Sequence, residues 1–277
     1  METNNLLSTT KSYYNSTDAD EFYFNVWGGE DIHVGIYDTP ETKISVASKQ
    51  TVKKMISVLN TPLTEETKVL DIGSGYGGAA RHLAGDYKSQ VTCLNLSDKE
   101  NERNNQKNTE TGLNKYISVH AGNFEEIPFE DNQFDVVWCQ DAILHSDNKS
   151  KVFAEVSRVL KKGGHFIFTD PMQSDNCPDG VLNPILDRIH LKEMGSVKLY
   201  RQLAKETGFE EVEIVEMPDQ LINHYQSVKD ELFNKKDSLL EVCSANYLDK
   251  MDIGLQHWVD GGKNNYLNWG ILHFMKN

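Results

Sequence analysis

One stretch, Val69-Leu70-Asp71-Ile72-Gly73-Ser74-Gly75-Tyr76-Gly77-Gly78, constrains the fold of this chain more than any other. A short apolar run ends in an acid, and four glycines follow within six residues. The pattern is that of a strand turning sharply into a helix. Glycines in the turn let backbone N–H groups come close to a ligand where a Cβ would collide. The helix behind them offers its positive end. Asp71 narrows the choice of ligand, because a carboxylate in the turn repels a pyrophosphate and attracts an ammonium group. The expected ligand is a nucleoside carrying an amino acid rather than a dinucleotide. S-adenosylmethionine is the simplest such molecule.

Strand-like and helix-like runs alternate from residue 68 to residue 170. Strands are expected over residues 68–71, 90–94, 117–121, 134–139 and 165–169, with helices over 78–85, 99–112 and 149–160. This alternation argues for a parallel sheet with right-handed crossovers. Ligands of such sheets bind beyond the C-terminal strand ends, and Asp71, Asn95, Asn123, Gln140 and Asp170 all fall at or just past those ends. A helix over 197–207, closed by Gly208, leads to a sixth strand over 211–216, and a seventh over 270–275 closes the chain. The expected fold is α/β, a Rossmann-like seven-stranded methyltransferase sheet of order 3-2-1-4-5-7-6 with strand 7 antiparallel. Residues 1–63, rich in aromatics, form an N-terminal lid segment ahead of a methyltransferase domain over 64–277. Polar, largely helical insertions at about 172–195 and 218–262 are expected to cover the strand ends.

Charge excludes several partners. The chain of 277 residues carries a net charge of −14, and nucleic-acid binding needs a basic stripe. The basic pair Lys161-Lys162 precedes Gly163-Gly164 and reads as a helix-to-strand turn. No apolar run approaches the ~18 residues of a membrane helix, and the polar residues 1–15 lack the order of a secretory signal. Cys93, Cys139, Cys177 and Cys243 stand far apart with no CxxC pair, which fits reduced thiols and no metal. The expectation is a cytoplasmic protein, monomer or homodimer, acting on a small zwitterionic or cationic molecule.

The cofactor pocket is expected to use Asp71, Gly73, Gly75 and Gly77 for the amino-acid end. Asn95, at the end of the second strand, would hold ribose hydroxyls through its amide, with Leu96 beside the adenine. Asn123 would take the adenine amino group while Phe124 covers the ring. Gln140 follows the fourth strand and would touch the cofactor. His145 stands near the expected position of the donor methyl, as a substrate contact or proton acceptor.

Beyond these blocks, Tyr23-Phe24-Asn25-Val26-Trp27-Gly28-Gly29-Glu30-Asp31-Ile32-His33-Val34-Gly35-Ile36-Tyr37 resembles the N-terminal segment of sarcosine/dimethylglycine N-methyltransferases, which make glycine betaine. Residues 69–78, 93–97, 122–134, 138–146 and 160–164 resemble blocks of the same family, so the likeness spans nearly the whole chain. The resemblance implies transfer of a methyl group to an unprotonated amine by in-line displacement, with sarcosine and dimethylglycine as acceptors. Tyr23, Trp27 and His33 would meet the acceptor, aromatic faces would hold its methyl-ammonium, and Arg188 would take its carboxylate. Arg201 is a weaker choice for that carboxylate. His145 and His33 are the candidate proton acceptors. The shared blocks leave open a C-methyltransferase of a sterol, quinone or tocopherol-like ring, a phosphoethanolamine-type N-methyltransferase, and a non-catalytic S-adenosylmethionine-binding regulator.

Overall fold

The computed structural model describes residues 8, 9 and 11–277. A seven-stranded sheet runs in the order β3-β2-β1-β4-β5-β7-β6. Its strands are β1 (Lys68–Ile72), β2 (Gln90–Asn95), β3 (Ile117–Ala121), β4 (Phe134–Gln140), β5 (Leu160–Gln173), β6 (Phe209–Glu216) and β7 (Leu267–Lys276). The first five pair in parallel, and β7 inserts antiparallel between β5 and β6. The sheet order and the direction of the seventh strand match the expectation from sequence.

Alternation along the strands builds two cores, as a sheet covered on both faces requires. Val137 and Cys139 of β4 face α5 (Lys149–Val159) and α7 (Val197–Glu206), where Phe153, Phe166, Phe168 and Tyr200 form an aromatic layer. Val136 and Trp138 face the other way, against α2 (Ile44–Leu59) and α3 (Gly78–Tyr87). Residues 44–59, grouped above with the lid segment, thus pack on the sheet itself through Val52, Met55, Val58 and Leu59. The helix between β2 and β3, α4 (Asp98–Glu110), has no apolar side chain. It is seated by buried Asn104 and Asn108, which accept from the Arg81 guanidinium of α3 at 3.4 and 3.2 Å. Asn104 also lies where a Cβ at Gly77 would fall, at φ +76°.

Three sequence expectations need correction. The Lys161–Gly164 turn is part of β5, which begins at Leu160 and pairs with β4 across a register shift. Strand β5 is also longer than expected, because β7 pairs with it from His165 to Gln173. The first insertion is mostly loop, with one short helix, α6 (Asn183–Arg188). The second is helical as expected: α8 (Pro218–Asn234), α9 (Lys236–Leu239) and α10 (Ala245–Lys263). These helices and α1 (Thr17–Val26) share a separate core around Phe22, Val228, Leu248 and Leu255, so the N-terminal segment and the second insertion form one cap over the strand ends. Among the described residues, no helix is long and apolar enough to cross a membrane.

Phe168 is fully buried and stacks on Phe166 at 4.7 Å. The Phe168→Ala variant is expected to lose about 3–5 kcal/mol in urea unfolding. A loss under ~1 kcal/mol would mean that this layer is not tightly packed.

Candidate active site

The glycine turn closes on itself at the end of β1. The Gly73 N–H donates to the Leu94 carbonyl at 2.8 Å, and Gly73 has φ +72°. A Cβ there would lie 2.4 Å from Ala142 Cβ, so the turn and the segment after β4 approach as closely as backbones allow. Beside this contact lies a cavity of about 100 Å³ whose walls include Gly73, Gly75, Leu96, Asn123, Phe124 and Gln140. Asn95 also lines it, but its amide donates to the Glu100 carboxylate at 2.9 Å. Burial pushes the Glu100 carboxyl up to about 7. The Asn123 Oδ1 accepts from the Glu125 N–H at 2.9 Å. Gln140 accepts from Trp138 Nε1–H at 3.0 Å, while its own Nε2 has no protein partner.

Residues 30–34 clamp the turn from above. The Asp31 carboxylate lies where a Cβ at Gly78 would be, at the start of α3. The Ile32 side chain reaches over Gly75. The Val34 N–H donates to Asp141 Oδ2 at 2.6 Å. His33 packs inward, with Nε2 3.4 Å from Asp31 Oδ1 and Nδ1 3.2 Å from the Val34 carbonyl. The Nε2 makes no hydrogen bond at that distance, so Asp31 favours a positive charge on the ring by its field. Burial opposes that charge, but Asp31 and Asp141 outweigh it and hold the ring above its ordinary range.

A second cavity, of about 810 Å³, lies under the cap. Its walls are aromatic: Tyr13, Tyr23, Trp27, Tyr225, Tyr247 and Trp258 all border it. The Tyr13 hydroxyl is hydrogen-bonded to that of Tyr247 at 3.1 Å. The Trp27 indole N–H is buried without a partner. Arg188, from the end of α6, projects into the cavity across Gly254 of α10, where a Cβ would meet its guanidinium at 2.3 Å. It donates to the Met251 sulfur, a weak acceptor that leaves most of its hydrogen-bonding capacity for a ligand.

The two cavities share a wall made of Tyr14, Ile32, Asp141 and His145. The Tyr14 hydroxyl and His145 Nε2 are hydrogen-bonded at 3.0 Å. Burial and the nearby Lys149 push the His145 imidazole down to about 4. The short helical turn that carries it, Ile143–His145, is held by the Leu144 N–H donating to Asp170 Oδ1 at 2.9 Å. Tyr200 donates to the other oxygen of Asp170 at 2.5 Å, so this strand-end acid is occupied by the protein itself.

Residues 70–168 match the family model of the methyltransferase domain. The chain is 53% identical over 267 residues to a sarcosine/dimethylglycine N-methyltransferase of Aphanothece halophytica, covering 96% of each chain. It belongs to this family of N-methyltransferases. It is also 50% identical to the protein of the same name from Halorhodospira halochloris, over 98% of this chain and 96% of the relative. A crystal structure of a candidate sarcosine dimethylglycine methyltransferase from Galdieria sulphuraria is 44% identical, with a TM-score of 0.90 over 96% of this chain and 99% of that one.

For this N-methyltransferase, several assignments from sequence shift. Asp71 borders neither cavity. It is buried on β1 beneath the turn, where burial pushes its carboxyl up to about 7 and His33 is its nearby cation. His33 also borders neither cavity and braces the turn from behind. Arg201 lies on the surface in an ion pair with Glu211, at 2.7 and 3.0 Å, and is no candidate for an acceptor carboxylate. Gly77 serves packing against Asn104. The others expected at the site, Gly73, Gly75, Asn95, Leu96, Asn123, Phe124, Gln140, His145, Tyr23, Trp27 and Arg188, all line one cavity or both. Sequence reasoning missed Glu100, Asp141 and the pairing of Tyr14 with His145. Ser97-Asp98-Lys99-Glu100 has the spacing of a helix-start capping box, which singles out Glu100, although its carboxylate turns to Asn95 instead of the helix start.

The histidines should titrate in opposite directions. The His145 ring is expected to stay neutral down to about pH 4, while His33 titrates above the ordinary histidine range, as followed by NMR of the ring protons. A depressed folded value means that His145 contributes stability present above its unfolded pKa and lost as pH falls toward 4. His145→Asn should therefore lose roughly 1–2 kcal/mol less than the unaltered protein between pH 7 and pH 5, once water in the cavity is allowed for. Equal losses would contradict the buried, uncharged ring.

Proposed function

We propose that this protein transfers methyl groups from S-adenosylmethionine to sarcosine and then to dimethylglycine, forming glycine betaine. One observation carries the reading: a glycine-turn pocket and an aromatic cavity holding an arginine meet at a single wall. The residues of the smaller cavity fit the cofactor. Gly73 and Gly75 line it with backbone in the left-handed region, Leu96 and Phe124 offer apolar faces for a base, and Asn95 and Glu100 together offer a donor and acceptors for two hydroxyls. When bound, this cofactor supplies a methyl group on a positively charged sulfur, open to displacement by a neutral amine.

The chain's own residues do the rest by binding, orientation and exclusion of water. Arg188 pairs with the acceptor carboxylate, which fixes one end of the molecule. Tyr23 and Trp27 offer ring faces to the methylated nitrogen. The Tyr14–His145 pair borders the line between donor and acceptor. Holding two reactants in line under a closed cap can supply about 7–11 kcal/mol of a barrier. His145 stays an uncharged partner of Tyr14, because a ring at about 4 cannot retain the proton of an alkyl ammonium. The amine must therefore release its proton to water as it leaves bulk solvent, and burial favours its neutral form. The aromatic cavity and its arginine favour a small amino acid over a sterol or quinone ring.

Conversion of sarcosine and dimethylglycine to betaine with S-adenosylmethionine tests the reading, and no betaine from either would overturn it. With dimethylglycine, kcat/KM is expected to rise about tenfold per pH unit between pH 7 and 8.5, as the neutral amine becomes available. A flat profile would point to a proton acceptor on the protein. Gly254→Ala should raise KM for dimethylglycine at least about tenfold by displacing Arg188, while helix stability is kept or improved. An unchanged KM would remove Arg188 from the acceptor site.

A further inference from the structure

Asp141 stands out among the groups at the shared wall. Among the described residues it is the one acid bordering both cavities, and it holds a left-handed backbone at φ +51° without being glycine. Strain of this kind persists only where the surroundings over-determine it. Here they do. Its N–H donates to the Thr169 carbonyl at 2.9 Å, its Oδ2 accepts from the Val34 N–H at 2.6 Å, and its Oδ1 accepts from Trp269 Nε1–H at 2.8 Å. Three separate parts of the chain, the N-terminal segment, β5 and β7, converge on one residue.

Two opposing influences act on its charge. Burial, the larger, raises its pKa above the ordinary carboxylate range, while His33 and the N–H groups donating to both oxygens favour the charged form. The charged groups facing it are His33 on its protein side and the acid Asp170 at the neighbouring strand end. On the cavity side it faces Tyr225, and Arg188 lies farther into the same cavity. A carboxylate held by an N–H group on each oxygen has a fixed position and keeps a second lone pair on each oxygen.

We propose that Asp141 is the specificity-determining residue for a charged nitrogen: its carboxylate is the anion beside which the positive charge sits, before and after transfer. The inference rests on the function proposed above. Methyl transfer moves one positive charge from sulfur to nitrogen, across the wall that Asp141 belongs to. An anion bordering both sides stays next to that charge throughout and needs no rearrangement during the step. Aromatic faces alone would attract the same cation more weakly. The acceptor class is then an amine carried by a small carboxylic acid. Arg188 and Asp141 read its two ends.

The test compares glycine betaine with 3,3-dimethylbutanoate, in which an uncharged carbon replaces the quaternary nitrogen in the same shape. With S-adenosylhomocysteine present, calorimetry on the unaltered protein is expected to give at least about tenfold tighter binding of betaine. Asp141→Asn, saturated with S-adenosylhomocysteine, should narrow the ratio to within about threefold. A folded variant that keeps the full ratio would overturn the proposal, and so would an unaltered protein with no preference for betaine. Should the variant not fold, NMR of the unaltered protein reads the same interaction. The Trp269 indole N–H, which donates to Asp141, should shift on adding betaine and much less on adding the isostere. Equal shifts would overturn the proposal. Failure of the unaltered protein to bind either dimethylglycine or betaine would instead remove the function on which it rests.

Discussion

The site depends on the clamp between residues 30–34 and the glycine turn. A turn with positive-φ glycines at 73, 75 and 77 has no side chains at those three positions to fix its path. Its shape is imposed from both sides. Below, the Gly73 N–H is held by the Leu94 carbonyl and Asn104 fills the space under Gly77. Above, Asp31 sits on Gly78 and Ile32 lies over Gly75. The same segment continues into Val34, whose N–H is held by Asp141. One short stretch of backbone thus fixes the donor pocket and one edge of the acceptor cavity together, and the distance between them follows from covalent geometry. Buried His33, which the nearby acids hold above its ordinary range, belongs to this arrangement as the group that offsets their mutual repulsion beneath the turn.

This division of labour explains why two residues with the right chemistry border neither cavity. Asp71 and His33 are the kinds of groups that bind and catalyse, and their motifs are prominent. In the fold they neutralise and brace. A carboxylate buried on a strand under a turn acts through its field, and a buried histidine that borders neither cavity faces no space where an acceptor could sit. The groups facing the cavities have weaker sequence signals, because each depends on a partner distant in the chain. Tyr14 matters through His145, Asp141 through Val34 and Trp269, and Asn95 through Glu100.

Local pattern carried the sheet. Runs such as residues 69–72 and 134–139, bounded by glycines and acids, specify buried strands, and helices between them force parallel crossovers. The strand ends located the site for the same reason. What local pattern could not give was the packing of the cap. Whether Trp27 or Tyr23 lines a cavity depends on α8 and α10, more than 190 residues away, and whether Arg188 is free depends on a glycine in α10. The polar helix α4 was legible as a helix by composition alone, but its seating through Arg81 and two asparagines has no periodic signature.

The central claim is that donor and acceptor meet across the wall formed by Tyr14, Ile32, Asp141 and His145. A crystal structure with S-adenosylhomocysteine and dimethylglycine tests it most directly. The account predicts the adenine between Leu96 and Phe124, the sulfur facing that wall, and the amine nitrogen on its far side with the carboxylate at Arg188. An amine bound away from the aromatic cavity, or a nucleoside lying outside the glycine turn, would contradict it.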